Sequence, residues 1–283
     1  MPSHVASDDF RTMDFDRKGS EYIMNIIVIT GASSGIGKEF ALQLDRHFKN
    51  IDEFWLIARS RNKLRTLAAG LTHKCRIIDI DVTNEEQLKR LSDALVLTKP
   101  NVRMLINCAG YGLMGGFAEQ DRNDALGMIR LNCEALTAVT HMFLPYLKRN
   151  SRVIQLASSA AFVPQIDFAV YAATKSYVLS FSRALGAELK DKGIYVTAVC
   201  PGPVDTPFFD RAEQTGSTLS IKKYSMVSAT KVVKKALKDS YQKKSTSVCS
   251  LPIQAFNVLC KVVPHDKMLE LTGKMKMVEQ GSH

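Results

Sequence analysis

The chain has 283 residues, 46% of them apolar and 23% charged, which is ordinary globular usage and excludes wholesale disorder, collagen-like repetition and a disulfide miniprotein. Its longest apolar runs, such as Ile26 to Ile29 and Ile194 to Val199, fall far short of the roughly 20 residues needed to cross a bilayer. The net charge of +10 is local, because residues 221–283 carry +8 of it through 12 lysines against four acidic residues; this argues against a nucleic-acid-binding face and for a cationic tail.

Residues 1–23 mix acidic and basic groups with few apolar ones, so they read as a flexible extension and lack the apolar stretch of a signal peptide. Met24 directly precedes the first strand-like run and fits a native start. Residues 1–23 and the terminal Gly281-Ser282-His283 would then be additions. The six cysteines show no C-x-x-C pair, which suggests neither zinc nor disulfides and fits a reducing cytoplasm.

From Asn25 onward, short β-branched runs alternate with segments of helical period. Strands are expected at 26–30, 54–58, 76–80, 104–107, 153–157 and 194–199, and helices near 36–48, 84–97, 122–149 and 169–191. This alternation predicts an α/β fold: a Rossmann-type doubly wound parallel sheet of about seven strands flanked by helices. After Pro201 come an irregular stretch to about Ser228, a lysine-rich helix near 230–242, a short strand near 246–251 and two apolar helical stretches around Pro264. The expected organisation is a catalytic domain over 24–252, with a substrate loop at 203–229, followed by an apolar and basic helical tail at 253–283.

The first strand runs into Thr30-Gly31-Ala32-Ser33-Ser34-Gly35-Ile36-Gly37 and then a helix. Glycines at this spacing permit a tight turn and close backbone approach, so the helix N-terminus can hold a pyrophosphate. A fold that prefers a free ribose hydroxyl places a carboxylate at the end of strand 2. Here Ala58 is followed by Arg59 and Ser60, and an arginine fork pairs with a 2′-phosphate, which favours NADP(H) over NAD(H). Asp81 and Val82, after strand 3, are placed to meet the adenine; Asp81 reads equally as a cap for the following helix.

Tyr171 and Lys175 lie four apart in a helix-like segment, on one face, and Ser158 follows strand 5 at its carboxyl end. A nearby ammonium is expected to move the phenol pKa down toward neutrality. His141 reads as structural, Cys108 as a small buried filler, and no cluster of ligating side chains suggests a metal.

Together Thr30 through Gly37, the Asn107-Cys108-Ala109-Gly110 turn, Asn132, Ser158, Tyr171, Lys175 and the Pro201-Gly202-Pro203-Val204-Asp205-Thr206 run resemble the short-chain dehydrogenase/reductase family over roughly residues 25–250. The departures are Cys108 for a second asparagine, Ala157 for a frequent serine and Thr174 for a common serine. The resemblance implies that Tyr171 is the acid/base, Ser158 orients the substrate oxygen, Lys175 tunes Tyr171 and binds the ribose, and Asn132 holds a water linking Lys175 to solvent. Asn107, Ala109 and Gly110 would support the adenosine side, and Pro201, Gly202, Val204 and Thr206 would lie near the nicotinamide. It also implies a homodimer or homotetramer.

Candidate substrate-facing residues are Leu113, Met114, Phe117, Phe162, Val163, Ile166, Phe208 and Phe209. Such a wall favours a hydrophobic ketone or secondary alcohol, sterol-like, bile-acid-like or fatty-chain. The alternatives are reduction of a 3-oxoacyl thioester on an acyl carrier and a non-catalytic NADP(H)-sensing regulator. The apolar and basic tail also fits peripheral contact with a membrane surface.

Overall fold

The computed structural model describes residues 23–213 and 226–270. Six main strands form as their β-branched runs require: β1 (Asn25–Thr30), β2 (Glu53–Ile57), β3 (Lys74–Ile78), β4 (Asn101–Asn107), β5 (Leu147–Leu156) and β6 (Tyr195–Val199). Two short strands, β7 (Val204–Asp205) and β8 (Val227–Ser228), pair with each other, and β9 (Thr246–Ser247) closes the main sheet. That sheet is parallel and seven-stranded, in the order β3-β2-β1-β4-β5-β6-β9. The order reverses between β1 and β4, which opens a crevice at the carboxyl ends of those strands.

Both faces of the sheet are covered, so its central strands are apolar throughout rather than alternating. On one face Ile27, Ile29 and Leu56 pack with α1 (Gly35–His47), α2 (Arg61–Ala69) and α8 (Ala229–Tyr241), through residues such as Phe40, Leu64 and Val233. On the other, Ile26, Val28 and Trp55 meet Leu91 and Leu95 of α3 (Glu85–Thr98), Val139 and Phe143 of α5 (Leu136–Phe143) and Leu185 of α6 (Ala169–Glu188). Burying one such side chain contributes about 1.5–3 kcal/mol, and the two layers together fix the sheet on which the crevice is built.

Five expectations change. The single helix expected over 122–149 is α4 (Arg122–Ile129), a π-helical turn (Arg130–Ala135), α5 and a short 3₁₀ turn, and β5 begins at Leu147. Pro145 in that last turn lacks an amide donor and cannot continue a helix. Helix α2 was not foreseen, although Ser60 stands at its N-cap position and Leu64, Leu67 and Ala68 form its buried stripe. The strand expected near 246–251 has only two residues, because α9 (Leu251–Val262) takes over.

The boundary expected at 252–253 falls inside α9, whose Ile253 and Cys260 are buried with Met268 against Val163, Val178 and Ala198. A five-residue helix, α7 (Phe208–Ala212), stands in the segment expected to be irregular. Part of the expected substrate loop, residues 214–225, and residues 1–22 and 271–283 of the expected extension and tail lie outside the described residues.

Candidate active site

The crevice at the switch point is a cavity of about 720 Å³ running from the end of β2 to α9. Its floor is the β1–α1 turn. Gly31 has φ +66°, and a Cβ there would stand 2.7 Å from the Ala109 amide nitrogen. At Gly37 a Cβ would come within 2.3 Å of the Gly31 carbonyl oxygen. Only glycine lets helix, turn and the β4 loop approach this closely. Helix α1 carries no acidic residue in its first turn, and Ser34 at the N-cap makes no side-chain cap bond. Its first amides therefore point into the cleft with the positive end of the helix dipole. These are features that fit the pyrophosphate of a dinucleotide.

At one end of the cavity lie Ala58, Arg59, Ser60, Lys63, Asp81 and Val82. The Arg59 guanidinium is 3.9 Å from the Asp81 carboxylate, with 70% of its side chain exposed, so the pair is weak. Asp81 mainly organises its own turn, its Oδ1 accepting from the Thr83 amide and hydroxyl at 2.9 and 2.7 Å. Asn84, not Asp81, caps α3.

At the other end Ser158, Tyr171 and Lys175 come together. Ser158 caps a 3₁₀ turn after β5, its Oγ accepting from the Ala160 amide at 3.1 Å, and its hydroxyl hydrogen-bonds the Tyr171 phenol. Tyr171 and Lys175 project from one face of α6, with Lys175 Nζ 5.6 Å from the phenol ring centroid. The Tyr171 ring stacks on Phe168 at 4.3 Å and leans on Phe208 at 5.5 Å.

Burial dominates the proton affinities here. It pushes the Tyr171 phenol up to about 12, against the smaller lowering effect of the Ser158 bond. It also pushes the Lys175 ammonium down to about 8. The expectation that Lys175 draws the phenol down toward neutrality is therefore corrected: desolvation sets the direction, and the opposing effect comes from Ser158 rather than from the ammonium, so the phenol stays protonated at neutral pH. Cys108 faces the same cavity, and its thiol is pushed up to about 12 by burial, as an inert filler would be.

Of the residues singled out from sequence, the cavity gathers Gly31, Ser33, Ser34, Gly35, Ile36, Gly37, Arg59, Ser60, Asp81, Val82, Ala109, Gly110, Ser158, Tyr171, Lys175, Pro201, Gly202, Val204 and Thr206. Asn107 and Asn132 stand behind its wall. The Asn107 amide donates at 3.0 Å to both Thr140 Oγ1 and Gln155 Oε1, within the buried interior. Asn132, in the π-helical turn, accepts from the Tyr111 amide at 3.0 Å. It donates to the Tyr111 carbonyl at 2.8 Å and to Thr174 Oγ1 at 3.0 Å. Thr174 in turn donates to the Tyr171 carbonyl at 2.8 Å, so Asn132 braces both the β4 loop and the first turn of α6.

Among the expected substrate-facing residues only Phe208 and Phe209 line the cavity. Leu113, Met114, Phe162 and Val163 are core residues, while Phe117 and Ile166 are exposed. The apolar wall is instead completed by Phe168, Ile253 and Phe256. Lys63 was missed together with α2. Among the described residues no group of three ligating side chains could hold a metal, and no helix is long and apolar enough to cross a membrane.

A strand-turn-helix cradle for a dinucleotide, with a serine, a tyrosine and a lysine at its far end, belongs to enzymes that move hydride. Residues 25–216 match the short chain dehydrogenase family, and the chain belongs to that family. It is thus an oxidoreductase acting on CH–OH groups. An uncharacterized oxidoreductase of Staphylococcus epidermidis is 32% identical over 184 residues, 64% of this chain and 79% of its own length. The structure of a short-chain dehydrogenase from Sphingobium yanoikuyae in complex with NADPH is similar, with TM-score 0.72 and 27% identity, over 84% of this chain and 93% of that one. A bulky-bulky ketone specific alcohol dehydrogenase from Comamonas testosteroni follows at TM-score 0.68 and 26% identity, over 84% of this chain and 91% of the other.

Proposed function

We propose that this enzyme interconverts a bulky hydrophobic ketone and its secondary alcohol with NADP(H), with Tyr171 as the acid/base. The observation that carries the proposal is the placement of Ser158, Tyr171 and Lys175 at one end of a cavity whose wall there is Phe168, Phe208, Phe209, Ile253 and Phe256. A charged substrate would lose its hydration against that wall with little to replace it, whereas a lipophilic ketone gains by entering.

The bound dinucleotide supplies or accepts a hydride at its nicotinamide ring. Gly31 to Gly37 would hold its pyrophosphate, and Pro201, Gly202 and Thr206 would adjoin the ring. The Ser158 and Tyr171 hydroxyls hold the carbonyl oxygen between them and polarise it. As hydride reaches the carbonyl carbon, the oxygen takes up negative charge and receives the Tyr171 proton. Burial keeps that proton in place at neutral pH, which suits donation and so reduction. The phenolate left behind lies beside the Lys175 ammonium, which stabilises it until a proton returns.

Arg59 and Lys63, with Ala58 where a carboxylate would disfavour a phosphate, support NADP(H). The Sphingobium relative is itself complexed with NADPH. The test is a panel of aryl, steroid-like, fatty-chain and small polar ketones, assayed with NADPH and NADH in parallel. Turnover of bulky apolar ketones with NADPH is expected. Turnover confined to small polar or phosphorylated carbonyls would overturn the substrate class, and equal use of NADH would overturn the cofactor assignment.

A further inference from the structure

A second concentration of polar groups lies at the opposite, amino-terminal edge of the sheet. Arg103 on β4, Arg149 and Arg152 on β5, Tyr195 at the start of β6, and Tyr241 and Lys243 at the end of α8 meet there. Arg152 and Tyr195 are neighbours in register. The Arg152 guanidinium lies over two phenol rings, 5.4 Å from the Tyr195 centroid and 4.6 Å from that of Tyr241. Its Nη1 donates to the Ser240 carbonyl at 3.1 Å. Lys243 Nζ stands 4.7 Å from the Tyr195 ring centroid, and Phe48 stacks on Tyr241 at 5.9 Å.

Three backbone positions around this cluster are left-handed: Asn150 (φ +69°), Gly193 (φ +70°) and Lys243 (φ +60°). Two of them are not glycine, and such residues enter this region only at a cost in free energy. Asn150 turns the chain directly beside Arg149. A Cβ at Gly193 would come within 2.9 Å of Arg149 Cγ, so this glycine gives the arginine stem its seat. Lys243, rather than a glycine, ends α8 and directs an ammonium at Tyr195.

None of these four cations makes an ion pair with a carboxylate among the described residues. The charges acting on the Tyr195 hydroxyl are those of Lys243, Arg149 and Arg152, all positive. Arg103 and Arg152 act likewise on Tyr241. The nearby acidic residue Asp239 is taken up by Lys235, Lys244 and Ser247. Arg152 is engaged by the α8 carbonyl and the two rings, and Lys243 by the Tyr195 hydroxyl and ring; the exposed Arg149 and Lys243, together with Arg103, still have donors to offer an anion.

We propose that this edge is a binding site for a small polyphosphate anion, separate from the dinucleotide cleft. Neighbouring strands lie about 4.8 Å apart, so cations carried on β4 and β5 and beyond β6 spread over roughly 10 Å, wider than one phosphate can bridge. The guanidinium forks suit bidentate pairing with phosphate oxygens, and the Tyr195 hydroxyl adds a donor.

Inorganic tripolyphosphate and ATP are titrated separately into the full-length protein by calorimetry, with NADPH saturating so that the cleft is blocked. Saturable binding of tripolyphosphate is expected. It should weaken at least about tenfold in Arg149→Ala and in Lys243→Gly, with the KM for NADPH unchanged. Lys243→Gly also relieves the left-handed backbone and is expected to keep or raise the melting temperature, so lost binding there cannot be lost folding. Comparable binding of ATP would place its source among nucleotides, and binding of tripolyphosphate alone would place it among free polyphosphates. Absence of saturable binding at millimolar ligand, or affinity equal in wild type and both variants, would overturn the proposal. Failure of the ketone panel would leave this measurement unaffected.

Discussion

Lys175 Nζ donates to the carbonyl oxygen of Leu156 at 2.8 Å, fastening the buried ammonium to the last residue of β5, two positions before Ser158. The bond ties helix α6 to the strand end that carries the serine. It does not repay the whole cost of burial, because the ammonium is still pushed down to about 8.

Replacing Lys175 with Met should therefore abolish most turnover while stabilising the fold. A pKa lowered from 10.5 to about 8 corresponds to a penalty of about 3 kcal/mol at neutral pH. The orphaned Leu156 carbonyl takes back about 1–3 kcal/mol of that, leaving a gain of about 1 kcal/mol, or a few degrees in Tm. The folded pKa is the lower one, so the unfolded chain holds the extra proton between about 8 and 10.5. The penalty is full below pH 8 and fades as pH rises through that window. The variant's advantage should shrink above pH 8 and reverse toward pH 10.5, where only the lost Leu156 bond separates it from wild type; a variant less stable at pH 7 would contradict this account.

Gly112 sets the position of the phenol. A Cβ there would stand 2.6 Å from Tyr171 Cδ2 and 3.0 Å from Phe168 Cε2, and the Tyr171 ring is held against Phe168 and Phe208. Gly112→Ala should displace the reacting hydroxyl and lower kcat about 100-fold, with the dissociation constant for NADPH little changed. Steady-state kinetics beside a fluorescence titration of cofactor separates the two effects.

Among the described residues Arg59 is held by an exposed 3.9 Å pair with Asp81, weak enough to yield to a 2′-phosphate. Arg59→Asp removes a charge-assisted contact of about 1.5–3 kcal/mol and adds a repulsion. The ratio of kcat/KM for NADPH over NADH should fall by roughly 10- to 100-fold or more. Retained preference would move the discrimination to Lys63.

Burial pushes the thiols of Cys75, Cys108 and Cys200 up to about 12, and nucleophilic attack needs the thiolate. These three should resist iodoacetamide in the native protein at pH 8 and react once it is unfolded. Peptide mass mapping of the alkylated sites reads this directly.

The parallel sheet, the glycine turn and the meeting of Ser158, Tyr171 and Lys175 were legible in the sequence because each rests on local spacing: a β-branched run, a strand-to-helix glycine pattern, an interval of four on a helix. The apolar wall was not. Phe162 and Phe168 are both aromatic residues after β5, yet one packs into the core and the other stacks on Tyr171. Ile253 and Phe256 reach the cavity from more than 80 residues beyond Tyr171 through folding of α9. The phenol pKa was misjudged for a related reason, since charge proximity is visible in sequence and depth of burial is not. Helix α2 could have been found from Ser60 and the spacing of Leu64, Leu67 and Ala68.

The most direct test is Tyr171→Phe, which deletes one hydroxyl and leaves the ring stacked on Phe168. Single-turnover reduction of a bulky ketone should slow by about 100- to 10,000-fold, the usual contribution of a general acid, while NADPH binds as before. A rate within a factor of a few of the wild type would show that the proton comes from elsewhere.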